Sequence, residues 1–568
     1  MTYFRLSMEK FSSIFCVILL AASPVLVIAA EATIPNAGLI LNEVQSEFPS
    51  LTTPKPNGLL IEKFPKPTVF PVEKFFVKTI KIIGNKRVGT QILQALVKQA
   101  EGKTHTLAEL DELISRITNY YAEHGYPLAR AIIPAQTIQS GILVVQIIEA
   151  RYGKITLDNR SRVNAPLLES ILSPLKTGDD VTQAELDHAL LLLADVAGIG
   201  VNATLKPGEE IGTSDLLVIA QQAPMIFGRL TLDGYGNSFT GRERLGGTLS
   251  IIDPLNLKLS DTLSFSGLSS GSALNYGRIA YETILTGTGT RLGGAYSSLH
   301  YSLGGTVTSL MANGNATVTS LWQKQPLIRS QNLNLYEQLQ YDNLKLSDSL
   351  DATPIKSQRH LNNLTLSMNG DMRDDLFSPS ATNFSVALTM GQLGFDDEAA
   401  MGEDAISTRT QGAFKKLNVN LSRIQKIGAL SGLYFTFAGQ WADSNLDPSQ
   451  KISAGGPYSV RAYETGAISG DTGYLFTAEY QYDLGAGLNG QWKVIGFMDV
   501  ANITVNKKPW PPIGNNNAII SGIGVGINWS GLDQWNARLH LATPVGAVPE
   551  LVENTNSTRA WIEVTRGF

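Results

Sequence analysis

The sequence predicts a mainly β fold, in which a C-terminal transmembrane antiparallel β-barrel follows two α+β domains. Apolar and polar residues alternate in many short runs between residues 224 and 568, and two similar segments with helical periodicity come before them. The N-terminal residues are first basic and then apolar, a pattern typical of exported proteins. Charged residues make up only 17% of the chain, against roughly 25% in ordinary soluble proteins.

Residues 1–30 are interpreted as a signal peptide. Arg5 and Lys10 precede an apolar stretch that ends in small residues. An N-terminal membrane anchor is the alternative, but Pro24 interrupts the run, and a spanning helix needs about 20 consecutive apolar residues. The single cysteine, Cys16, lies inside this segment, so we expect no disulfide scaffold and no cysteine-based zinc site in the exported chain.

Two short N-terminal segments follow the predicted signal peptide. Residues 31–48 contain the run NAGLILNEVQSEF, whose apolar spacing predicts one short amphipathic helix. Residues 49–74 form a proline-rich stretch, with five prolines between residues 54 and 71. Because proline removes a backbone donor and fixes φ, we expect an extended linker there rather than a packed element.

Residues 75–149 and 150–223 form an internal repeat. Residues 106–110 (TLAEL) and 182–186 (TQAEL) both match a Thr-x-x-Glu capping box that opens an amphipathic helix. We expect each of these helices to end at a glycine, Gly125 or Gly198, as helix C-termini prefer. Two strand-like runs follow each helix, so the repeat predicts two tandem α+β domains, each with the order strand, helix, helix, strand, strand.

Residues 224–568 contain no convincing helix but many runs that alternate. Leu417, Val419 and Leu421, for example, are separated by asparagines. This period of two, with Asn, Ser, Thr and Gly on the polar face, is typical of strands between lipid and a wet lumen. At roughly 20–28 residues per strand and connection, the segment makes 12, 14 or 16 strands. The alternative is a soluble β-sandwich or β-helix, whose polar face would carry more Lys and Glu.

The candidate motifs for catalysis and for ligand binding in this sequence are incomplete. Residues 102–104 (GKT) lack the glycine that a phosphate-binding loop needs five residues earlier, where Val97 stands. Residues 267–271 (GLSSG) match Gly-x-Ser-x-Gly, but strand-like sequence lies on both sides instead of a strand followed by a helix. The six histidines are scattered without ligand spacing, and a net charge of −5 gives no basic surface for nucleic acid. We therefore predict no enzyme, no metal, no cofactor and no nucleic-acid partner.

Three local sequences carry a resemblance to a known family. They are residues 233–242 (DGYGNSFTGR), 453–463 (SAGGPYSVRAY) and 496–501 (GFMDVA). Together with the leader helix, the proline-rich linker and the two repeats, they resemble the two-partner secretion transporters of the outer membrane, the haemolysin-activator type. In that family the repeats are polypeptide-transport-associated (POTRA) domains. The resemblance covers essentially the whole chain after the signal peptide.

The resemblance implies a barrel of sixteen strands, a helix in residues 31–48 that plugs the pore, and a loop that folds back into the barrel. The loop carries Val460, Arg461 and Tyr463, and its arginine pairs with Asp499, so these four residues would lock the loop to the barrel wall. Alternation along the strand independently places Asp499 on the lumen face. Two positions depart from the family pattern, since residues 462 and 501 are alanine where glycine is usual.

The resemblance also implies a function and a location. The protein would be an outer-membrane pore, with periplasmic POTRA domains, that secretes one large partner protein to the cell surface. An adhesin, a cytolysin, a contact-dependent toxin and a haem-binding protein are all open as partners. The alternative is an outer-membrane factor that assembles and inserts other barrels, since such proteins share the POTRA repeats and the loop. They usually carry more repeats and lack the helix and linker.

Overall fold

The computed structural model describes most of the chain after the predicted signal peptide. Its described residues are 35–46, 59–61, 73–138, 140–353, 355–487, 489–511, 514–552 and 557–568. The predicted signal peptide, residues 1–30, lies outside the described residues, as does most of the predicted linker. Within the described ranges, every helix is too short or too polar to span a bilayer.

The first helix, α1 (Ala37–Ser46), forms within the predicted helical segment. Its buried residues Ala37, Ile40, Leu41 and Val44 share one face at helical spacing. This face packs with barrel side chains such as Tyr301. The helix therefore lies inside the barrel.

Part of the predicted linker is extended but also pairs with a folded element, so the expectation that it packs against nothing was wrong there. Three of its residues form the short strand β1 (Leu59–Ile61), which pairs in parallel with residues 203–205 of the second repeat. The proline content predicted that this segment packs against nothing. The edge of a sheet that is distant in sequence nevertheless pairs with these three residues.

The two repeats fold as separate α+β units. The first contains β2 (Lys74–Val77), β3 (Thr79–Ile83), α2 (Thr90–Val97), β4 (Lys103–Thr106), α3 (Leu107–Glu123), β5 (Arg130–Ile132) and β6 (Ile142–Ile148). The second contains β7 (Arg151–Arg160), α4 (Ala165–Leu172), α5 (Gln183–Ala194), β8 (Ile199–Pro207) and β9 (Thr213–Gln222). Their sheets have the orders β3-β6-β5, with a separate β2-β4 pair, and β1-β8-β9-β7.

The two capping sequences start helices in both units. The Thr106 hydroxyl accepts from the Glu109 amide, and the Glu109 carboxylate accepts from the Thr106 amide at 2.9 Å, which completes a capping box. Thr182 likewise caps α5. However, α5 ends at Ala194, four residues before Gly198, because the intervening residues turn away to contact the barrel.

Sixteen antiparallel strands close into a barrel. They are β10 (Ile226–Asp233), β11 (Arg244–Ile252), β12 (Thr262–Ser269), β13 (Leu274–Ile284), β14 (Arg291–Ser302), β15 (Ala312–Arg329), β16 (Leu333–Leu350), β17 (Ile355–Asp374), β18 (Ser380–Phe395), β19 (Gly412–Lys426), β20 (Ser431–Ala442), β23 (Thr472–Gly487), β24 (Gly490–Thr504), β25 (Asn517–Gly531), β26 (Trp535–Pro544) and β27 (Arg559–Gly567). The first and last strands pair, with Leu232 opposite Val564, so the sheet has no open edge.

The alternation of residues along the strands separates the two faces of the wall. On β19, Leu417 and Leu421 point outward and are exposed, whereas the amide of Asn418 donates to Gln440 inside the barrel at 2.8 Å. The exterior is thus apolar and the interior polar, as expected of a membrane-spanning barrel.

One helix lies where the sequence predicted none, and that expectation was wrong. Helix α6 (Glu398–Ile406) occupies the loop between β18 and β19. Its first amides are capped by Asp397, whose side chain accepts from the Ala400 amide at 2.7 Å. The helix is short and lacks a continuous apolar face, so periodicity did not reveal it.

Candidate functional site

The loop between β20 and β23 folds back into the barrel. Residues 443–471, here called the lumen loop, contain a 3₁₀ turn (Pro448–Gln450) and the hairpin strands β21 (Ile452–Ala454) and β22 (Ile468–Gly470). Gly455 and Gly456 have φ values of +108° and +97°, which side chains rarely tolerate. This backbone reverses the chain and presents the segment around residue 461 to the wall.

Arg461 and Asp499 meet at the wall. The Nη2 and Nε atoms of Arg461 donate to the two carboxylate oxygens of Asp499 at 2.7 and 2.9 Å, and the Arg461 amide donates to the same carboxylate at 3.1 Å. Arg461 is 4% exposed and Asp499 fully buried. A bidentate geometry with a third, backbone donor holds the loop in one orientation.

Other groups surround this pair. Nη1 of Arg461 donates to Glu479 at 2.7 Å, and its guanidinium carbon lies 3.4 Å from the centre of the Phe497 ring. The indole of Trp561 donates to the Arg461 carbonyl at 2.7 Å. One guanidinium therefore faces two carboxylates and an aromatic face, and strands β23, β24 and β27 all contribute.

Val460 and Tyr463 take a different position from the charged pair. Each is 1% exposed, and both belong to an apolar cluster that also includes Ile495 and Ile520 of the wall. The predicted site residues thus divide into one ion pair and two apolar anchors. The ion pair fixes the orientation of the loop, and burial of the two apolar side chains adds hydrophobic stabilisation.

The two alanines that depart from the family pattern fit into the wall. Gly522 lies opposite Asp499 in the β24–β25 register, and a Cβ atom at Gly522 would lie 2.4 Å from the Cβ of Ala462. The missing side chain at residue 522 therefore makes room for the methyl group at residue 462. Ala501 is fully buried on β24.

The lumen loop also contacts the first barrel hairpin. Thr465 donates its hydroxyl to the Tyr235 carbonyl at 2.7 Å, and Glu464 accepts from the Ser238 amide at 2.8 Å. These contacts connect the loop to residues 233–242, the first of the three local sequences.

Helix α1 lies beside the lumen loop, above an open chamber. Asn42 of α1 donates to the Lys451 carbonyl at 2.6 Å. A cavity of about 870 Å³ begins there and extends toward the second repeat; its lining includes Asn42, Gln45, Ala197, Gln340 and Asn418. The chamber lining mixes hydroxyl, amide and charged side chains with apolar ones such as Phe227 and Trp322, and α1 and the lumen loop separate it from the opposite end of the barrel.

Sequence reasoning missed Glu479 and Trp561. Glu479 alternates with apolar neighbours on β23, so the same period of two that placed Asp499 would have placed it in the lumen. Trp561 is separated from Arg461 by 100 residues, and only closure of the barrel brings its indole to the loop. Among the described residues, no cluster of metal-ligating side chains occurs.

Comparison with known proteins identifies the family. The family described as haemolysin secretion/activation protein ShlB/FhaC/HecB matches residues 212–529, more than half of the chain, and a ShlB-type POTRA domain matches residues 75–150. This chain belongs to the ShlB/FhaC/HecB family. Its two N-terminal repeats are accordingly called the first and second POTRA repeats below.

Named relatives agree with this assignment. The heme/hemopexin transporter protein HuxB of Haemophilus influenzae strain 86-028NP is 26% identical over 524 residues, which cover 90% of this chain and 92% of HuxB. The solved structure of CdiB from Escherichia coli covers 89% of this chain and 93% of its own, with a TM-score of 0.67 and 19% identity. The solved structure of BamA from Haemophilus ducreyi lacking POTRA domains 1–3 superposes with a TM-score of 0.53 at 13% identity, covering 87% of this chain and all of that truncated chain. The two structural likenesses show the fold alone.

The chain is an outer-membrane transporter of the two-partner secretion type, with its POTRA repeats on the periplasmic side. The family and the named transporters favour secretion over the alternative of barrel assembly and insertion. The lumen loop and residues 351–353 consequently lie at the extracellular end. The turns that contact the second POTRA repeat lie at the periplasmic end.

Proposed function

We propose that this transporter exports one large partner protein through its barrel, and that α1 and the lumen loop close the pore at rest. The observation that carries the proposal is the placement of both elements inside a sealed wall to which neither contributes a strand. Each is held by side-chain contacts, which break without unzipping the barrel ladder. Both elements are therefore removable.

The lock formed by Arg461 and Asp499, with Val460 and Tyr463 as apolar anchors, holds the lumen loop in the closed state. Its ion pair is buried, so losing one partner leaves an uncompensated charge, which typically costs about 3–5 kcal/mol. Opening both ends of the pair together exposes two charges that water solvates well. The ion pair thus holds the loop strongly while it is buried and weakly once water reaches it.

The POTRA repeats capture the unfolded partner on the periplasmic side. We assign residues 75–149 and 150–223 to them, residues 31–48 to the plug, residues 49–74 to the linker and residues 224–568 to the barrel. Within the described residues, β3 and β5 are the outer strands of the first repeat's sheet, and Ile83 and Ile132 are exposed on them. The Ile80 and Ala131 amides donate to the side chains of Glu101 and Thr118, so an added segment would displace these two contacts. An extended segment adds to such an edge through main-chain hydrogen bonds, with little demand on sequence.

The partner belongs to one of four classes: adhesin, cytolysin, contact-dependent toxin or haem-binding protein. The likeness to HuxB, named as a heme/hemopexin transporter, extends over most of both chains and favours the haem-binding class. No nucleotide or metal takes part in this proposal, and we expect folding of the partner outside the cell to pull it through.

Deletion of the gene tests the function. We expect one large protein to disappear from the cell surface and to return when the transporter is supplied again. A variant with Arg461→Ala should restore it poorly, whereas Arg423→Ala, which changes a lumen arginine bound to Asp374 near the periplasmic end and away from the lumen loop, should restore it well. Loss of many unrelated barrels from the outer membrane would instead favour the assembly and insertion alternative.

A further inference from the structure

Three charged side chains form a cluster near the extracellular end of the barrel, away from Arg461; two of them are buried, and the Asp348 side chain is 18% exposed. The Nη1 atom of Arg359 on β17 donates to Asp348 on β16 at 2.6 Å, and its Nε atom donates to Asp447 of the lumen loop at 2.5 Å. Arg359 is 6% exposed and Asp447 3% exposed. We call Asp348, Arg359 and Asp447 the wall triad.

The two acids of the wall triad also accept hydrogen bonds from the two elements that fill the pore. The Asp348 carboxylate accepts from the Ala37 amide at the start of α1 at 2.8 Å and from the Tyr301 hydroxyl at 2.6 Å. The Asp447 carboxylate accepts from the Ser449 amide at 2.9 Å and so caps the 3₁₀ turn of the lumen loop. A single hydrogen-bonded chain thus runs from α1 through the wall to the loop.

Helix α1 also covers the triad sterically. A Cβ atom at Gly38 would lie 2.7 Å from the Ser449 amide nitrogen and 3.0 Å from a carboxylate oxygen of Asp447. Only a glycine allows the helix to approach this closely. The positive end of the α1 dipole meanwhile faces Asp348, one of the two acids that share a single arginine.

We infer that the wall triad couples the presence of α1 in the barrel to the seating of the lumen loop. While α1 is in place, Arg359 and Asp447 stay buried, and their ion pair holds the first arm of the loop, residues 445–451. When α1 leaves, the triad is hydrated, and a hydrated ion pair holds far less strongly than a dry one. Release of α1 therefore loosens the lumen loop, so α1 leaves the pore first and the loop is displaced second.

The three triad residues act as positioning residues in this inference, which rests on the proposal that α1 leaves the pore during transport. The rival interpretation is a static brace between wall and loop, indifferent to α1. The two differ in whether removing α1 and breaking the triad have independent effects, since perturbations of coupled elements do not add.

Distances between spin labels distinguish the two interpretations. The only native cysteine, Cys16, lies in the predicted signal peptide, so labels can be placed at Ser453→Cys in the lumen loop and Ser302→Cys at the extracellular end of β14. The full-length protein is measured in lipid nanodiscs. The quantity compared is the ratio of displaced to seated loop conformers.

Arg359→Gln in the full chain leaves the buried Asp447 carboxylate without its arginine and close to Asp348, and we expect the displaced-to-seated ratio to rise about tenfold or more. Deleting residues 35–46 should raise it to a similar degree. Adding Arg359→Gln to the deletion should then raise it less than twofold further. Full multiplication of the two effects, or a loop that stays seated without α1, would overturn the inference.

A matched variant and a folding assay test whether the substitutions merely loosen the barrel as a whole. Arg423→Gln removes another lumen arginine, bound to Asp374 at 2.9 Å near the periplasmic end, and should leave the ratio unchanged. Heat-modifiable migration on gels reports whether each barrel is folded. An equal rise with Arg423→Gln would refute the specific role of the wall triad.

A second variant perturbs the same contact without touching a charge. Gly38→Ala should displace α1 from residues 447–449 and raise the ratio in the full chain, whereas Gln45→Ala on the same helix should not. An unchanged ratio with Gly38→Ala would count against the coupling, even if Arg359→Gln fails to fold. None of these measurements needs the partner protein, so their outcome is independent of the gene-deletion test of export.

Discussion

Replacing Gly522 with alanine should push the tip of the lumen loop away from the barrel wall. The new methyl carbon would lie 2.4 Å from the Cβ of Ala462, whereas carbon atoms in contact are normally about 3.5–4.0 Å apart. One side must therefore move by roughly 1 Å or more. The wall strand is held by ladder hydrogen bonds on both sides, so the loop moves.

The size of the effect follows from the cost of overpacking. One extra methyl group in a packed site typically costs about 1–3 kcal/mol, which corresponds to a shift of roughly 5- to 150-fold in the equilibrium between seated and displaced loop. Displacement of the tip also lengthens the contacts between Arg461 and Asp499, which are 2.7 and 2.9 Å in the structure.

Channel recordings in planar bilayers measure this shift as the fraction of time spent in open states. Gly522→Ala should raise the open fraction, and the double variant Gly522→Ala/Ala462→Gly should return it toward the original value because the second change removes the clashing methyl group. Gly496→Ala is the control, since no atom lies within 4 Å of a Cβ placed there. If the double variant stays as open as the single one, the steric reasoning is wrong.

Three further predictions concern single contacts. Arg461→Ala should raise the open fraction strongly, because it leaves the buried Asp499 without its main partner at a cost of about 3–5 kcal/mol. Trp561→Phe should raise it less, since it leaves the Arg461 carbonyl without its 2.7 Å donor at a cost of about 1–3 kcal/mol. Thr106→Ala should speed hydrogen exchange in the first turn of α3, because loss of an N-cap costs about 1 kcal/mol.

Each of these predictions has a control and a contradicting result. For the two channel variants, Lys493→Ala changes a half-exposed lumen lysine on the same strand as Asp499 and should leave the open fraction nearly unchanged. An Arg461→Ala channel as closed as the original would refute the lock. For the cap, Thr104→Ala on β4 should not alter exchange in α3, and equal acceleration by both variants would contradict the capping role.

The features that the sequence determined are those set by short-range periodicity and local chemistry. Alternation with a period of two separated the lipid face from the lumen face and placed Asp499 inside, because successive side chains of a strand point to opposite sides. The Thr-x-x-Glu sequences located the starts of α3 and α5, since a cap involves only residues three positions apart. The count of sixteen strands came from the family resemblance; periodicity alone left 12, 14 and 16 open.

Only the tertiary structure decided which distant residues meet. Trp561 reaches Arg461, and Arg359 reaches Asp447, across 100 and 88 residues of chain. The strand β1 and its partner β8 are likewise far apart in sequence. Such pairs depend on the register of every intervening strand and on closure of the wall. A local pattern does not fix either, because a register shift of two residues keeps the lipid and lumen faces of each strand while changing its partners.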